Sequence, residues 1–239
     1  MRLINTISYE FKDFSDNAPL YAILSHRWEE EEVTYEDMLQ GKRFAGKKAG
    51  FSKNSGPLSP SKASSSELSE AINSMFQWYK NSSVCYVYLR EVSSMSSLPS
   101  TEIGPDGLHR LLRESVRSSK WFTRGWTLQE LLAPRRVEFY AHDWSEIGTK
   151  RSLAHTISDV TLIDCDILQG GASVRSVSLA ERMRWASMRE TTRGEDMAYC
   201  LLGIFGVNMP LLYGEGRERA FLRLQEEIMK MQEDYTLLA

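Results

Sequence analysis

Apolar positions along this chain fall into two kinds of run. Three are short and nearly continuous: residues 21–25 (YAILS), 84–89 (VCYVYL) and 137–140 (VEFY), each rich in β-branched or aromatic side chains and each read as a buried strand. The others recur at helical spacing. Ser64 with Glu67 makes a capping box, and Leu68, Ala71, Ile72, Met75 and Tyr79 then mark one face of a helix reaching Lys80. A second helix is expected over 108–117, and a third within 120–133, stopped before Pro134. A short helix is expected at 34–40, after an acidic loop at 29–32, and a loop over 93–107.

The last hundred residues read as helical. Ser178 with Glu181 and Thr192 with Glu195 repeat the capping-box spacing. Met183 and Ala186 are expected to face inward on the first helix, and Met197, Ala198, Leu201 and Leu202 on the second. After a turn at Gly214-Glu215-Gly216, residues Ala220, Phe221, Leu224, Ile228 and Met231 define a final amphipathic helix. Strands separated by helices predict an α/β fold with a mainly parallel sheet flanked by helices and a mostly helical C-terminal extension. The expected division is 1–150 and 151–239. Residues 50–66 break the pattern: prolines, glycines and many serines leave little to bury, so they read as a linker or insertion within the first part.

Composition narrows the function classes. The 239 residues are 42% hydrophobic and 26% charged, with a formal net charge of -3, a globular balance that points to no nucleic-acid partner. No window approaches the roughly 20 apolar residues of a membrane span, and the N-terminus lacks the basic start and apolar stretch of a signal peptide, so an intracellular, cytoplasmic protein is expected. Cys85, Cys165 and Cys200 have no paired spacing, and His109, His142 and His155 are dispersed. No disulfide framework, metal site or resident cofactor is predicted, and the cysteines read as buried thiols. Arg135, Arg136, Arg217, Arg219 and Arg223 alternate with carboxylates in the manner of a solvated face.

Two segments carry candidate chemistry. Ser25, His26, Arg27 and Trp28 follow the first strand, at the carboxyl end where open parallel sheets bind ligands. His26 and Arg27 suit a phosphate and Trp28 suits stacking; the plainer alternative makes Ser25 a cap, His26 a loop hydrogen-bonder and Trp28 core. Residues 120–134 (KWFTRGWTLQELLAP) crowd large apolar groups against Lys120, Arg124 and Glu130, a mixture that belongs where a core meets a polar cleft. Trp121 and Trp126 suit packing, and Trp126 is also carried as a pocket residue.

Three runs, YAILSHRWEEEEVTYEDM, WFTRGWTLQELLAPRRVEFY and RGEDMAYCLLGIFGVNMPLLYGEGRERAFLRLQEEI, together resemble the fungal heterokaryon incompatibility (HET) domain. The resemblance covers nearly the whole chain outside 50–66. It implies a TIR-like, flavodoxin-like sheet, a role in non-self recognition and programmed cell death, and protein partners or self-association. TIR domains include enzymes that cleave NAD with a helical glutamate in Trp-x-x-x-Glu spacing, which Trp126 and Glu130 reproduce. The resemblance thus makes Glu130 the catalytic candidate and NAD a substrate; the structural alternative pairs Glu130 with Arg124 or Arg135. The chain departs from the family pattern in lacking the helix and Trp-Asp-Cys strand that normally precede the helix beginning near Glu67. Loss of a central strand predicts either a sheet re-paired around the gap or a degenerate, mis-spliced and inactive domain. A non-catalytic assembly module is the competing functional class.

Overall fold

The computed structural model describes residues 1–14, 17–27, 65–93 and 105–231. Trp28, the acidic loop 29–32, the expected helix at 34–40, the Ser/Pro-rich stretch up to residue 64 with its Ser64 cap, and most of the 93–107 loop lie outside the described residues.

The three expected strands form: β3 (Ala22–Ser25), β4 (Val84–Tyr88) and β5 (Val137–Tyr140), after a separate antiparallel hairpin of β1 (Arg2–Ile4) and β2 (Phe11–Asp13). A further strand, β6 (Glu146–Thr149), completes a four-stranded sheet in the order β3-β4-β5-β6. The first three run parallel, and β6 runs antiparallel to β5, so the sheet is mixed. β3 and β4 pair directly, Ile23 opposite Cys85 and Leu24 opposite Tyr86. The feared gap between them does not open, because the ladder groups of one strand satisfy those of the other.

Burial follows position in the sheet. Cys85, Val87, Val137 and Phe139 are at most 1% exposed, as expected of parallel strands covered on both faces. β6 (EIGT) is a partly exposed edge with no apolar run to announce it, and the three-residue strands of the hairpin are too short to show a period.

Helix α1 (Ser65–Asn81) leads into β4; α2 (Pro105–Arg117), a 3₁₀ turn (Lys120–Thr123) and the short α3 (Thr127–Leu132) lead from β4 into β5. Beyond β6 come α4 (Ala154–Thr161), α5 (Cys165–Gln169), α6 (Leu179–Ala186), α7 (Asp196–Tyr199), α8 (Leu202–Phe205) and α9 (Arg217–Met231). No helix among the described residues is long and apolar enough to cross a membrane. The apolar faces of these helices join the sheet in one continuous core, from Ile23 and Val87 through Trp121 and Phe139 to Trp185, Leu224 and Ile228. α8 meets α1 so closely that Gly203 lies against Phe76 with no room for a side chain.

Several expectations are borne out in detail. Ser178 caps α6, its side chain accepting from the Glu181 amide. Met197, Ala198, Leu201 and Leu202 are buried, as are Cys85 and Cys200, and residues 214–216 turn with Gly214 and Gly216 at positive φ, which only glycine adopts without strain. Three differ. The helix expected from Thr192 starts instead at Asp196 and breaks into α7 and α8, because the Glu195 carboxylate accepts from the amides of Gly214 (2.9 Å) and Gly216 (3.1 Å) rather than closing a capping box. Met231, at the final turn of α9, is 66% exposed, and Cys165 is only half-buried.

Candidate functional site

The Trp-rich segment is fixed from below by a buried guanidinium. Arg189, three residues past α6, donates through Nη1 to the Arg124 carbonyl and to Thr127 Oγ1, both at 2.9 Å, and through Nε to the Trp185 carbonyl at 3.2 Å. The Glu190 amide donates to the Thr123 carbonyl and the Gly125 amide to the Glu190 carbonyl, so the turn between the 3₁₀ segment and α3 is stitched to the C-terminal helices. Gly125 is required there: a side chain would strike Thr191 and Cys200. This anchoring orients α3, and α3 carries Glu130.

Ser25 ends β3 at the carboxyl edge of the sheet and is 1% exposed. The Trp121 indole Nε1 donates to Ser25 Oγ at 2.8 Å, and Ser25 Oγ donates to a carboxylate oxygen of Glu130. The proton order is fixed by chemistry: an indole N–H only donates, so Ser25 must accept from it and keeps its own proton for Glu130. The relay therefore presents Glu130 as an acceptor, the role of an ionised carboxylate. The Tyr79 hydroxyl, which also donates to the Leu24 carbonyl at 3.3 Å, lies within reach of the same carboxyl.

Burial pushes the Glu130 pKa up; the Ser25 hydrogen bond, the charges of His26 and Arg124, and Tyr79 hold it back. Glu130 is half-buried as a residue, and burial is the largest influence on its carboxyl. Burial and the Glu130 charge raise the Tyr79 hydroxyl and the neighbouring Cys85 thiol well above their ordinary values, so both stay protonated.

Ser25, Glu130 and the charge of His26 thus come together at one end of the sheet. Arg27 reaches Glu91 at 3.9 Å, a half-exposed pair, and Trp28 lies outside the described residues. Trp126 takes other partners: its Nε1 donates to Asp196 at 3.4 Å, and Asp196 also accepts from the Tyr213 hydroxyl at 2.9 Å, beneath an Arg193 guanidinium 4.5 Å from the Tyr213 ring. The tryptophan that reaches the Ser25–Glu130 pair is Trp121, packed edge-on against Phe122 and Phe139. The alternative ion pairs are not formed: Arg124 acts on Glu130 only as a nearby charge, and Arg135 lies at the opposite end of β5. Sequence reading missed Tyr79, Arg189 and the hydrogen-bonding role of Trp121. Tyr79 sits on an apolar helical stripe and Trp121 in an aromatic cluster, so neither showed a polar role.

The chain is therefore an α/β protein with a mixed four-stranded sheet and a buried carboxyl centre at the carboxyl ends of its parallel strands. It is 43% identical, over 234 residues and 90% of its length, to the vegetative incompatibility protein HET-E-1 of Podospora anserina. The chain spans 16% of that protein. No family model and no solved structure matches it.

Proposed function

We propose that this chain is a HET-type, TIR-like module of vegetative incompatibility that promotes programmed cell death in the cytoplasm by cleaving NAD, with residues 1–150 forming the catalytic part and 151–239 a helical extension packed on it. The observation that carries this reading is the Trp121–Ser25–Glu130 relay at the carboxyl edge of the parallel sheet, and the likeness to HET-E-1 supplies the biological setting. In the reaction, Glu130 accepts hydrogen bonds from the ribose hydroxyls and its charge stabilises the oxocarbenium-like transition state. The bond between ribose C1 and the nicotinamide nitrogen breaks, nicotinamide leaves with the electron pair, and water adds at C1 with release of a proton. His26 and Arg27, beside Ser25, serve the phosphates, and Trp28 and Trp126 are candidate stacking residues.

The test is nicotinamide release by purified protein at high concentration, wild type beside Glu130→Gln. The expected result is release from the wild type and a loss of at least a hundredfold in the variant, both folded by a cooperative melt. No release from folded wild-type protein would refute the enzyme reading. It would favour a non-catalytic module that docks on other proteins or on itself, a reading served by Leu222 and Met229, both exposed and two turns apart on α9.

A further inference from the structure

A second concave site lies at the opposite end of the sheet from Ser25 and Glu130. Val137, the first residue of β5, and Thr149, the last of antiparallel β6, form its floor, with Pro134 at the exit of α3. The cavity measures about 700 Å³. Its lining contains six cationic side chains, Lys80, Arg135, Arg136, Lys150, Arg151 and Arg175, and no carboxylate.

Bland roles account for part of this charge. Arg136 pairs with the buried Glu138, at 2.6 Å through Nε. Lys150 is buried and donates to the carbonyls of Leu131 (3.0 Å) and Pro134 (2.6 Å), capping the end of α3. The C-termini of α1, α3 and α5 also converge here, each contributing about half a negative charge. Subtracting one charge for Glu138 and roughly one and a half for the helix ends leaves about three to four positive charges uncompensated. Lys80, Arg135, Arg151 and Arg175 are exposed and make no ion pair among the described residues. In a chain of net charge -3, such an excess in one concavity is a local segregation of charge that the bulk balance conceals.

We propose that this groove binds a polyphosphate anion of two or three phosphates, with the guanidinium groups of Arg135, Arg151 and Arg175 and the ammonium of Lys80 as its ligands. Guanidinium forks match phosphate oxygens bidentately, and an excess of about three to four charges matches the charge of a di- or triphosphate. Phe76, Leu132, Ile167 and Val174 line the same cavity, giving an apolar wall on which an organic group attached to the phosphates can lie. The site is independent of the NAD reading, since it sits at the other edge of the sheet and shares no side chain with the Ser25–Glu130 centre.

The experiment is calorimetric titration of the whole chain with orthophosphate, tripolyphosphate, ATP and adenosine, repeated with Arg135→Glu/Arg175→Glu and with Arg151→Glu. Tripolyphosphate and ATP should bind at least about tenfold tighter than orthophosphate, and the double variant should weaken both by at least about a hundredfold with an unchanged melt, because the replaced side chains are exposed. Arg151→Glu alone should cost about tenfold. ATP tighter than tripolyphosphate assigns a nucleotide and equal affinity assigns inorganic polyphosphate. Affinity for tripolyphosphate no better than for orthophosphate, or binding unchanged in the charge-reversed variants, overturns the proposal. Because the readout is binding and not NAD turnover, failure here is distinct from failure of the proposed enzyme activity.

Discussion

Replacing Ser25 with alanine isolates the bond on which the candidate centre depends. Ser25 is 1% exposed and links the Trp121 indole to the Glu130 carboxylate, so Ser25→Ala leaves a buried N–H and a carboxylate oxygen without their partner and adds no strain. The neutral bond is worth about 1 kcal/mol and the charge-assisted one about 2 kcal/mol, giving a loss of about 3 kcal/mol at neutral pH. For a chain of this size that is a fall in melting temperature of roughly 6–12 °C. The loss should also depend on pH. The folded-state pKa of Glu130 already lies above its ordinary value, so the folded protein binds this proton more readily than the unfolded chain, and stability from this group falls as pH rises from 4.5 through the folded pKa. Removing the Ser25 proton donor raises that pKa further. The deficit of Ser25→Ala is therefore largest where Glu130 is ionised in the folded protein and shrinks as falling pH protonates it. Denaturant melts from pH 5 to 8 measure it, with Glu130→Gln and the double variant closing a thermodynamic cycle. Single-variant losses that simply add, or a deficit that grows as pH falls, would refute a charge-assisted Ser25–Glu130 bond.

Further tests reach the other buried groups. Burial lowers Lys150 to about 8, so between that pH and the ordinary 10.5 the unfolded chain binds more protons and stability climbs with pH, by about 3 kcal/mol in all, with no change from this group below pH 8. Lys150→Met should flatten that climb in denaturant midpoints measured from pH 7 to 10, and an undiminished climb would assign it elsewhere. Gly203→Ala drives a methyl group into Phe76 where α8 crosses α1 and should cost about 1–3 kcal/mol in a thermal melt. An unchanged melt would mean that the two helices are not packed so closely.

The sequence by itself determined where elements of this protein lie. Strands β3, β4 and β5 were legible because β-branched and aromatic residues run nearly without interruption, and α1, α6 and α9 because their apolar residues recur every three or four positions. Both signals are local, and so survive without knowledge of partners. The choice of Glu130 and Ser25 came from resemblance and from the rule about strand ends, and the tertiary structure alone brought the two together, across 105 residues of sequence. It alone turned Trp121 towards Ser25 and Trp126 towards Asp196, although both had looked like core, because the donor direction of an indole is set by which acceptor the fold places beside it. The direct pairing of β3 with β4 was likewise a matter of long-range register. Arg135 read as part of a solvated face in sequence, and nothing there linked it to Arg151 or Arg175. They became a charged cavity only when the exit of α3, the end of β6 and the loop after α5 converged, since electrostatic excess is a property of distance in space and leaves no period in the chain.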